Sequence, residues 1–465
     1  MDVTLINPPH YFSNETDLHQ GQIKGLTRYP PLGLAYLGTY LEQVGINVQI
    51  IDALAENLSL KNLIQNLRID PPKIIGITAT TPQIRGVIQL VDGIRQEFED
   101  EVSIGIGGAH ISADPEFFNR FKIFDFAILG EGEKTFADVS QKILKGEKIN
   151  GIMNGEEEVN LDKAPFPARH LLNVDNYYME SFGNQFATIH TTRGCPFDCS
   201  FCSKPVTGRK VRYRSPNNVL NEIEQVINNY GAKYILFTDD TFTLNINRTE
   251  DICKGIIERN IDIEWGCETR ADLVNDSVIN LMSKSGCQEI SFGIESGNEV
   301  LRKQIVNKNV TNDHIINAIK LCKQYKIETS AFCMLGFPSE TREMMNETYQ
   351  FCLKLKLDTV GLHLTVPMPG SKIFSQAINE KKISPEYWDE YAKGVIDEQP
   401  IYLPDGFSLL ELQNVQKMLY RKYYMQPRYL LGRLRRNLKS YRKLKHEIGI
   451  GIRLLMKGRT STGRP

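Results

Sequence analysis

The chain has 465 residues, a formal net charge of −1, 41% hydrophobic and 24% charged residues. These values fit a soluble globular protein with room for two or three domains, and the balanced charge sets up no global field toward nucleic acid. Residues 1–7 enter a strand-like run instead of a secretory leader, and no stretch reaches the roughly 18 uninterrupted apolar residues of a membrane span, so a cytoplasmic location is expected.

In the N-terminal third, short apolar runs alternate with helix-length amphipathic segments, the pattern of a parallel α/β sheet. Strands are expected at Val3–Asn7, 48–51, Ile74–Thr78, 103–106 and Phe126–Leu129, with helices over 31–44 and 82–98. Ligands of such sheets bind beyond the carboxyl ends of the strands. Those ends carry Asn7 and Pro8, Asp52, Thr78 and Thr80, Gly107 and Gly108 with His110 just beyond, and Gly130, Glu131 and Gly132. Glycine there lets a flat ligand approach the backbone closely. No G-x-G-x-x-G follows the first strand, so the dinucleotide fingerprint is absent.

Residues 156–172 are polar, contain Pro165 and Pro167, and mark the crossing between domains. A strand over 186–192 then feeds the run Arg193-Gly194-Cys195-Pro196-Phe197-Asp198-Cys199-Ser200-Phe201-Cys202. Its cysteines are spaced C-x3-C-x2-C, with no fourth nearby. Three thiolates on a metal that prefers four ligands leave one position open. The economical occupant is a [4Fe–4S] cluster with one iron free for a ligand that is not protein. C-x2-C is also half a zinc site, for which His190 would be the fourth ligand, but no second C-x2-C pair follows. The other six cysteines (Cys253, Cys267, Cys287, Cys322, Cys333 and Cys352) are scattered through apolar patterns and read as ordinary buried thiols.

Residues 204–214 are basic and should lie over the cysteine loop, and an amphipathic helix is expected over 217–230. Five more strands follow, at Tyr234–Phe237, 263–267, 289–292, 329–335 and Thr359–Leu364. Their carboxyl ends carry Thr238, Asp239 and Asp240, then Glu268 and Arg270, then Gly293, Glu295 and Ser296, then Gly336 and Pro338, then residues 367–371. With the cysteine strand these make six β/α units, and polar strand ends in such a barrel read as active site. For Asp239, Asp240 and Glu295 the competing role is helix N-capping. The barrel pattern stops near Gly394. Leu409–Tyr424 is an amphipathic helix, and residues 428–459 are strongly basic with Glu447 as the only acid. This segment reads either as a helix over the barrel mouth or as an interfacial helix on anionic membrane or a lipid-like substrate.

The cysteine run, with its Gly-Cys-Pro opening and Phe201 before the last cysteine, resembles the cluster motif of the radical S-adenosylmethionine (SAM) superfamily. Residues 1–145 resemble the cobalamin-binding domain that precedes many radical SAM cores, through Asn7-Pro8-Pro9, residues 31–37, Gly107-Gly108-x-His110 and Gly130-Glu131-Gly132-Glu133. The resemblance implies an α/β fold in four parts. These are a Rossmann-like cobalamin-binding domain (1–148), a linker (149–182), a partial (β/α)6 TIM-type radical SAM barrel (183–395) and a small helical basic region (396–465).

By the same resemblance, Cys195, Cys199 and Cys202 hold the cluster. Phe201, Asp239, Asp240, Glu268, Arg270, Gly293, Glu295, Ser296, Gly336 and Pro338 contact SAM. Asn7, Pro8, Asp52, Thr78, Thr80, Gly107, Gly108, His110, Gly130, Glu131 and Gly132 contact cobalamin. The D-x-H-x-x-G motif is missing, so cobalt without a lower histidine ligand is implied. The implied reaction is reductive cleavage of SAM to a 5′-deoxyadenosyl radical and methyl transfer from methylcobalamin to an unactivated carbon. The alternative is an oxidative cyclase or rearrangement enzyme without net methyl transfer. A methylthiotransferase would need three more cysteines upstream, and none precedes Cys195. The implied partners are an external electron donor of flavodoxin or ferredoxin type and a small-molecule, lipid or peptide substrate. No nucleic acid is expected, and the basic C-terminus offers a peripheral contact with the inner membrane face.

Overall fold

In the computed structural model, residues 1–12, 28–179, 182–427 and 429–430 are described. The first strands are β1 (Val3–Asn7), β2 (Val48–Asp52), β3 (Ile74–Thr78), β4 (Ser103–Gly107), β5 (Phe126–Leu129) and β6 (Gly151–Asn154). They form one sheet in the order β2-β1-β3-β4-β5-β6, parallel throughout. The helices between them are α1 (Leu32–Gln43), α2 (Leu60–Ile69), α3 (Ile84–Phe98), α4 (Ala109–Ala113), α5 (Glu116–Phe121) and α6 (Glu133–Leu144). They cover both faces, so the inner strands read as apolar runs. One core holds Ile6, Ile77, Val87 and Ile104, and the other holds Leu5, Leu34, Phe126 and Phe136.

The second sheet contains β7 (Phe186–Ile189), β10 (Tyr234–Phe237), β11 (Glu264–Thr269), β12 (Cys287–Glu295), β13 (Glu328–Leu335) and β14 (Thr359–Leu364). Its order is β14-β13-β12-β11-β10-β7, again parallel. Helices α7 (Pro216–Tyr230), α8 (Ile246–Glu258), α9 (Asp276–Lys284), α10 (Glu299–Gln304), α11 (Asn312–Gln324), α12 (Arg342–Leu355) and α13 (Lys372–Asn379) follow its strands. Each long helix has a side-chain N-cap, such as Ser215 on Asn218 N and Thr341 on Met344 N. The sheet stays open, with β7 and β14 as its edges.

An open edge exposes unpaired backbone groups, and here side chains cover it. Helix α15 (Leu409–Tyr424), at the predicted bounds, lies along β14. Tyr424 Oη accepts from Val360 N at 2.9 Å and donates to Val360 O at 2.8 Å, and Gln416 Nε2 donates to Leu362 O at 2.7 Å. The short helix α14 (Tyr387–Ala392) reaches back to the first sheet, burying Trp388 and Tyr391 in its core. Tyr391 Oη donates to Pro82 O at 3.2 Å. The basic segment expected over 428–459 lies almost entirely outside the described residues.

One expected strand is corrected. The run 186–192 is not continuous: β7 ends at Ile189, and Thr192–Arg193 is a separate strand, β8, paired antiparallel with β9 (Arg212–Tyr213). The cause is Asp239, described next. Helices α2, α4, α5 and α6 and strand β6 were among the elements given no range from the sequence. The first turn of α2 is fixed by Ser59, which accepts from Asn62 N. Strand β6 is a short edge strand pairing only with β5.

Candidate active site at the junction of the two sheets

The β8–β9 ribbon clasps the cysteine loop at its base, with Thr192 opposite Tyr213 and Arg193 opposite Arg212. Gly194 takes φ +88°, and a Cβ there would collide with Lys210 O, so the loop closes only with glycine at this position. Further ties hold the loop. Lys204 Nζ donates to Phe197 O at 2.9 Å, Ser200 N to Val306 O at 2.9 Å, and Ile373 N to Ser200 O at 3.0 Å. Arg270 stacks 3.6 Å over the Phe197 ring and pairs with Asp272 at 2.9 Å. Phe201 packs beside Phe337, with ring centroids 6.3 Å apart.

Cys195 and Cys199 are buried, Cys202 is half-buried, and all three are free thiols. Burial pushes the Cys199 thiol up, while the charges of Lys308, Arg270 and Lys204 pull it down. Burial pushes Cys202 up as well, against Lys204. The neighbouring cations oppose that rise without overcoming it. Among the described residues, no three His, Cys, Asp or Glu side chains converge on a single ion-sized point. His190 bonds instead to Thr238 Oγ1 at 3.3 Å. Three thiols on one short loop are the donors an iron–sulfur cluster takes, and His190 is not joined to them as a fourth ligand.

Asp239 is 2% exposed, and its carboxylate faces the chain itself. Oδ1 accepts from Thr191 N at 2.9 Å, Thr192 N at 2.5 Å and Thr192 Oγ1 at 2.6 Å, and Oδ2 from Thr191 Oγ1 at 3.0 Å. These bonds take the backbone out of the β7 ladder and aim it into the cysteine loop. Asp239 is thus not a helix cap, and its carboxylate is bonded to Thr191 and Thr192.

A cavity of about 290 Å³ lies between the carboxyl ends of both sheets. From the first sheet it is lined by Thr78, Gly107, Gly108, Gly130, Glu131 and Gly132, all expected there. Gly108 takes φ +97°, and a Cβ would lie 2.9 Å from Ala79 N and Thr78 Oγ1. Gly76 and Gly105, inside β3 and β4, extend the space as a slot beside Leu34, Leu37 and Phe136. The opposite wall belongs to the second sheet: His190, Thr192, Arg193, Val206, Thr238 and Asp240. Burial pushes the His190 imidazole below its ordinary range. A glycine-paved floor with an apolar slot fits a corrin ring with its tail.

Several expected cobalamin contacts lie off this wall. Asn7 Nδ2 donates to Asp52 Oδ1 at 3.0 Å, and Gln83 Nε2 donates to Asn7 Oδ1 at 2.9 Å and Pro8 O at 2.7 Å. Thr80 caps the turn before α3 through Gln83. These groups brace the β1–β3 loops against one another. His110 is fully buried, edge-on to Phe117 at 4.6 Å and bonded to Thr81 Oγ1 at 3.2 Å, and burial lowers its pKa to about 4.

On the barrel side, Glu268 lies inside β11 rather than after it, with an exposed side chain whose carboxyl is pushed up by desolvation, Asp240 and Glu295. Glu295 pairs with Lys308 at 2.9 Å. Ser296 Oγ lies 3.2 Å from Thr348 Oγ1. Gly336 N donates to Glu340 Oε2 at 2.6 Å, fixing the turn before Pro338.

Lys308 was not singled out in the sequence, and Tyr36, Arg193 and Val206 lie in motifs quoted there without being named as site residues. Arg193 bridges the two sheets, pairing with Glu131 and Glu133 at 2.6 Å each and stacking 5.2 Å from the Tyr36 ring. Arg212 also pairs with Glu131. Burial raises the Glu131 carboxyl, but the two arginines outweigh it and hold it low. Behind them, fully buried Glu222 joins Arg169 at 2.6 Å and Arg214.

The Radical SAM superfamily pattern matches residues 189–352, and the B12 binding domain pattern matches residues 23–140. The chain is 31% identical over 447 residues to the uncharacterized methyltransferase PH0819 of Pyrococcus horikoshii, covering 93% of this chain and 94% of that one. It is 27% identical to the anaerobic magnesium-protoporphyrin IX monomethyl ester cyclase of Cereibacter sphaeroides, covering 91% and 74%. Its fold is similar to that of TsrM from Kitasatospora setae, a radical SAM methyltransferase solved with cobalamin and a [4Fe-4S] cluster (TM-score 0.66, 17% identity, covering 82% and 75%). It is also similar to the cobalamin-dependent SAM radical enzyme OxsB (TM-score 0.63, 19% identity, covering 96% and 71%). The chain therefore belongs to the cobalamin-binding branch of the radical SAM superfamily, and it is an enzyme that uses a [4Fe-4S] cluster, SAM and cobalamin.

Proposed function

We propose that this enzyme moves a methyl group from SAM, by way of the corrinoid, onto an unactivated carbon of its substrate. The observation that carries the reading is the cavity between the carboxyl ends of both sheets, whose wall runs through Thr192, Arg193 and Gly194 into the cysteine loop. Cobalamin bound in that cavity, with the cluster and SAM held by the adjoining cysteine loop and barrel strand ends, would supply a methyl group beside a carbon-centred radical. The protein's part is to hold and aim. Cys195, Cys199 and Cys202 would hold the cluster, Asp240, Glu295 and the Gly336–Pro338 turn would contact SAM, and Thr78 with the glycines of β4 and β5 would seat the corrin ring. Hydrogen abstraction from carbon by a radical needs no side-chain base.

The relatives include both methyltransferases and cyclases, which keeps a ring-forming reaction as the second reading. The reaction requires a reductant and a small-molecule substrate. We assign the reductant to the flavodoxin or ferredoxin class and the working compartment to the cytoplasm. Among the described residues no helix is long and apolar enough to cross a membrane.

The test is anaerobic reconstitution with dithionite and SAM bearing a deuterated methyl group. Methyl transfer uses two SAM molecules, so S-adenosylhomocysteine and 5′-deoxyadenosine must both appear. 5′-Deoxyadenosine without S-adenosylhomocysteine would point to the cyclase reading, and neither product would sink the proposal.

A further inference from the structure

Glu295 ends β12 in the left-handed region, φ +62°, at a register shift against β13. A glutamate held there has a reason in the surrounding structure. Lys308 Nζ donates to Gly293 O at 2.7 Å and pairs with Glu295 Oε1 at 2.9 Å, with both side chains no more than 7% exposed. A Cβ on Gly293 would sit 2.5 Å from Glu295 Oε1 and 2.6 Å from Lys308 Nζ, so the glycine keeps room for the pair. The backbone around Lys308 is a strap. Val306 O accepts from Ser200 N at 2.9 Å, and Asn307 Nδ2 donates to Asp198 O at 2.7 Å. Fully buried Arg302 anchors it through Ser296 O at 2.5 Å and Val310 O at 2.6 Å. The strap therefore joins the cysteine loop to the end of β12, and both charges of the pair act on Cys199, Lys308 favouring its thiolate and Glu295 opposing it.

A buried ion pair is a poor stabiliser, because desolvation offsets its attraction. Its position explains it better. We propose that Lys308 is a positioning residue that fixes Glu295 for SAM and sets a permanent positive charge on the strap bonded to the cysteine loop, raising the reduction potential of the cluster. The inference rests on the cluster and SAM reading of this site and not on methyl transfer, so failure of the methyl-transfer assay leaves its test intact.

The test uses reconstituted holoenzyme carrying Lys308→Gln, Lys308→Arg, Glu295→Gln or Lys308→Gln with Glu295→Gln. Iron content, redox-poised electron paramagnetic resonance and calorimetric SAM binding to the oxidised cluster are read for each. Lys308→Gln should lower the ratio of reduced to oxidised cluster at least tenfold at fixed ambient potential, about 59 mV for a one-electron couple. It should also weaken SAM binding at least tenfold. Lys308→Arg should stay near wild type, Glu295→Gln should shift the potential upward, and the double variant should return toward wild type. A fully iron-loaded Lys308→Gln enzyme with unchanged potential overturns the proposal. If Lys308→Gln fails to hold iron, Glu295→Gln decides alone: an unshifted potential overturns the proposal and an upward shift supports it.

Discussion

Asp239 separates two accounts of one residue. Its motif position suggests a contact to SAM, whereas its hydrogen bonds give it the work of breaking β7 and launching the cysteine loop. Asp239→Ala leaves Thr191 N and Thr192 N without a partner inside the protein. Each orphaned buried donor costs about 1–3 kcal/mol, so the variant should lose about 4 kcal/mol of stability. Asp239→Asn keeps an acceptor for the amides and loses only the charge assistance, costing about 1–2 kcal/mol. The assay is denaturant unfolding of the unreconstituted chain, followed by iron content after reconstitution and SAM affinity. Stability and iron content should fall together in Asp239→Ala, and SAM affinity should survive in Asp239→Asn once iron is restored. An Asp239→Asn protein with wild-type stability and iron but no SAM binding would refute this reasoning.

Other consequences follow from the buried charges and thiols. Glu222→Gln strips Arg169 and Arg214 of their shared carboxylate and should cost about 3–5 kcal/mol in unfolding measurements. Glu340, 2% exposed, is raised to about 7 by burial despite accepting from Gly336 N and Phe337 N. Its folded pKa lies above its unfolded value, so the folded state binds the extra proton and stability falls as pH rises from about 4.5 to 7. Glu340→Gln should flatten that slope and compare better with wild type at pH 8 than at pH 5; parallel stability curves would count against it. Cys199→Ala should abolish the cluster absorption while bound cobalamin stays, since the thiol lies outside the glycine-lined cavity wall.

Much of the fold was legible because it is local. The bounds of β1, β3, β5, β10, β14 and α15 follow from short apolar runs and one amphipathic period. What failed depends on distant partners. The end of β7 is decided by Asp239, 48 residues on from Thr191. Strand β6 has half-exposed alternation and pairs only with β5, so little in its composition marks it. Trp388 and Tyr391 bury against a core formed nearly 300 residues earlier, which no local window can reveal. The same division runs through the site. Strand-end reasoning placed Thr78 and the glycines of β4 and β5 on the cavity wall, because such ends point at ligands whatever the ligand is. Asn7, Asp52 and Thr80 sit at equally polar ends yet hydrogen-bond across neighbouring loops. Tyr36, His190 and Arg193 join the wall only when the two sheets meet.

The central claim is that the glycine-lined cavity holds the corrinoid while the cysteine loop independently holds the cluster. Gly107 offers a clean probe. A Cβ there would meet nothing nearer than Ile128 O at 3.7 Å, so the fold admits a side chain, yet that side chain would occupy the cavity. The measurement is cobalt and iron per chain in reconstituted wild type and Gly107→Leu. The account predicts at least a tenfold loss of cobalt with iron content and melting temperature unchanged. Wild-type cobalt retention in a folded Gly107→Leu protein would contradict it.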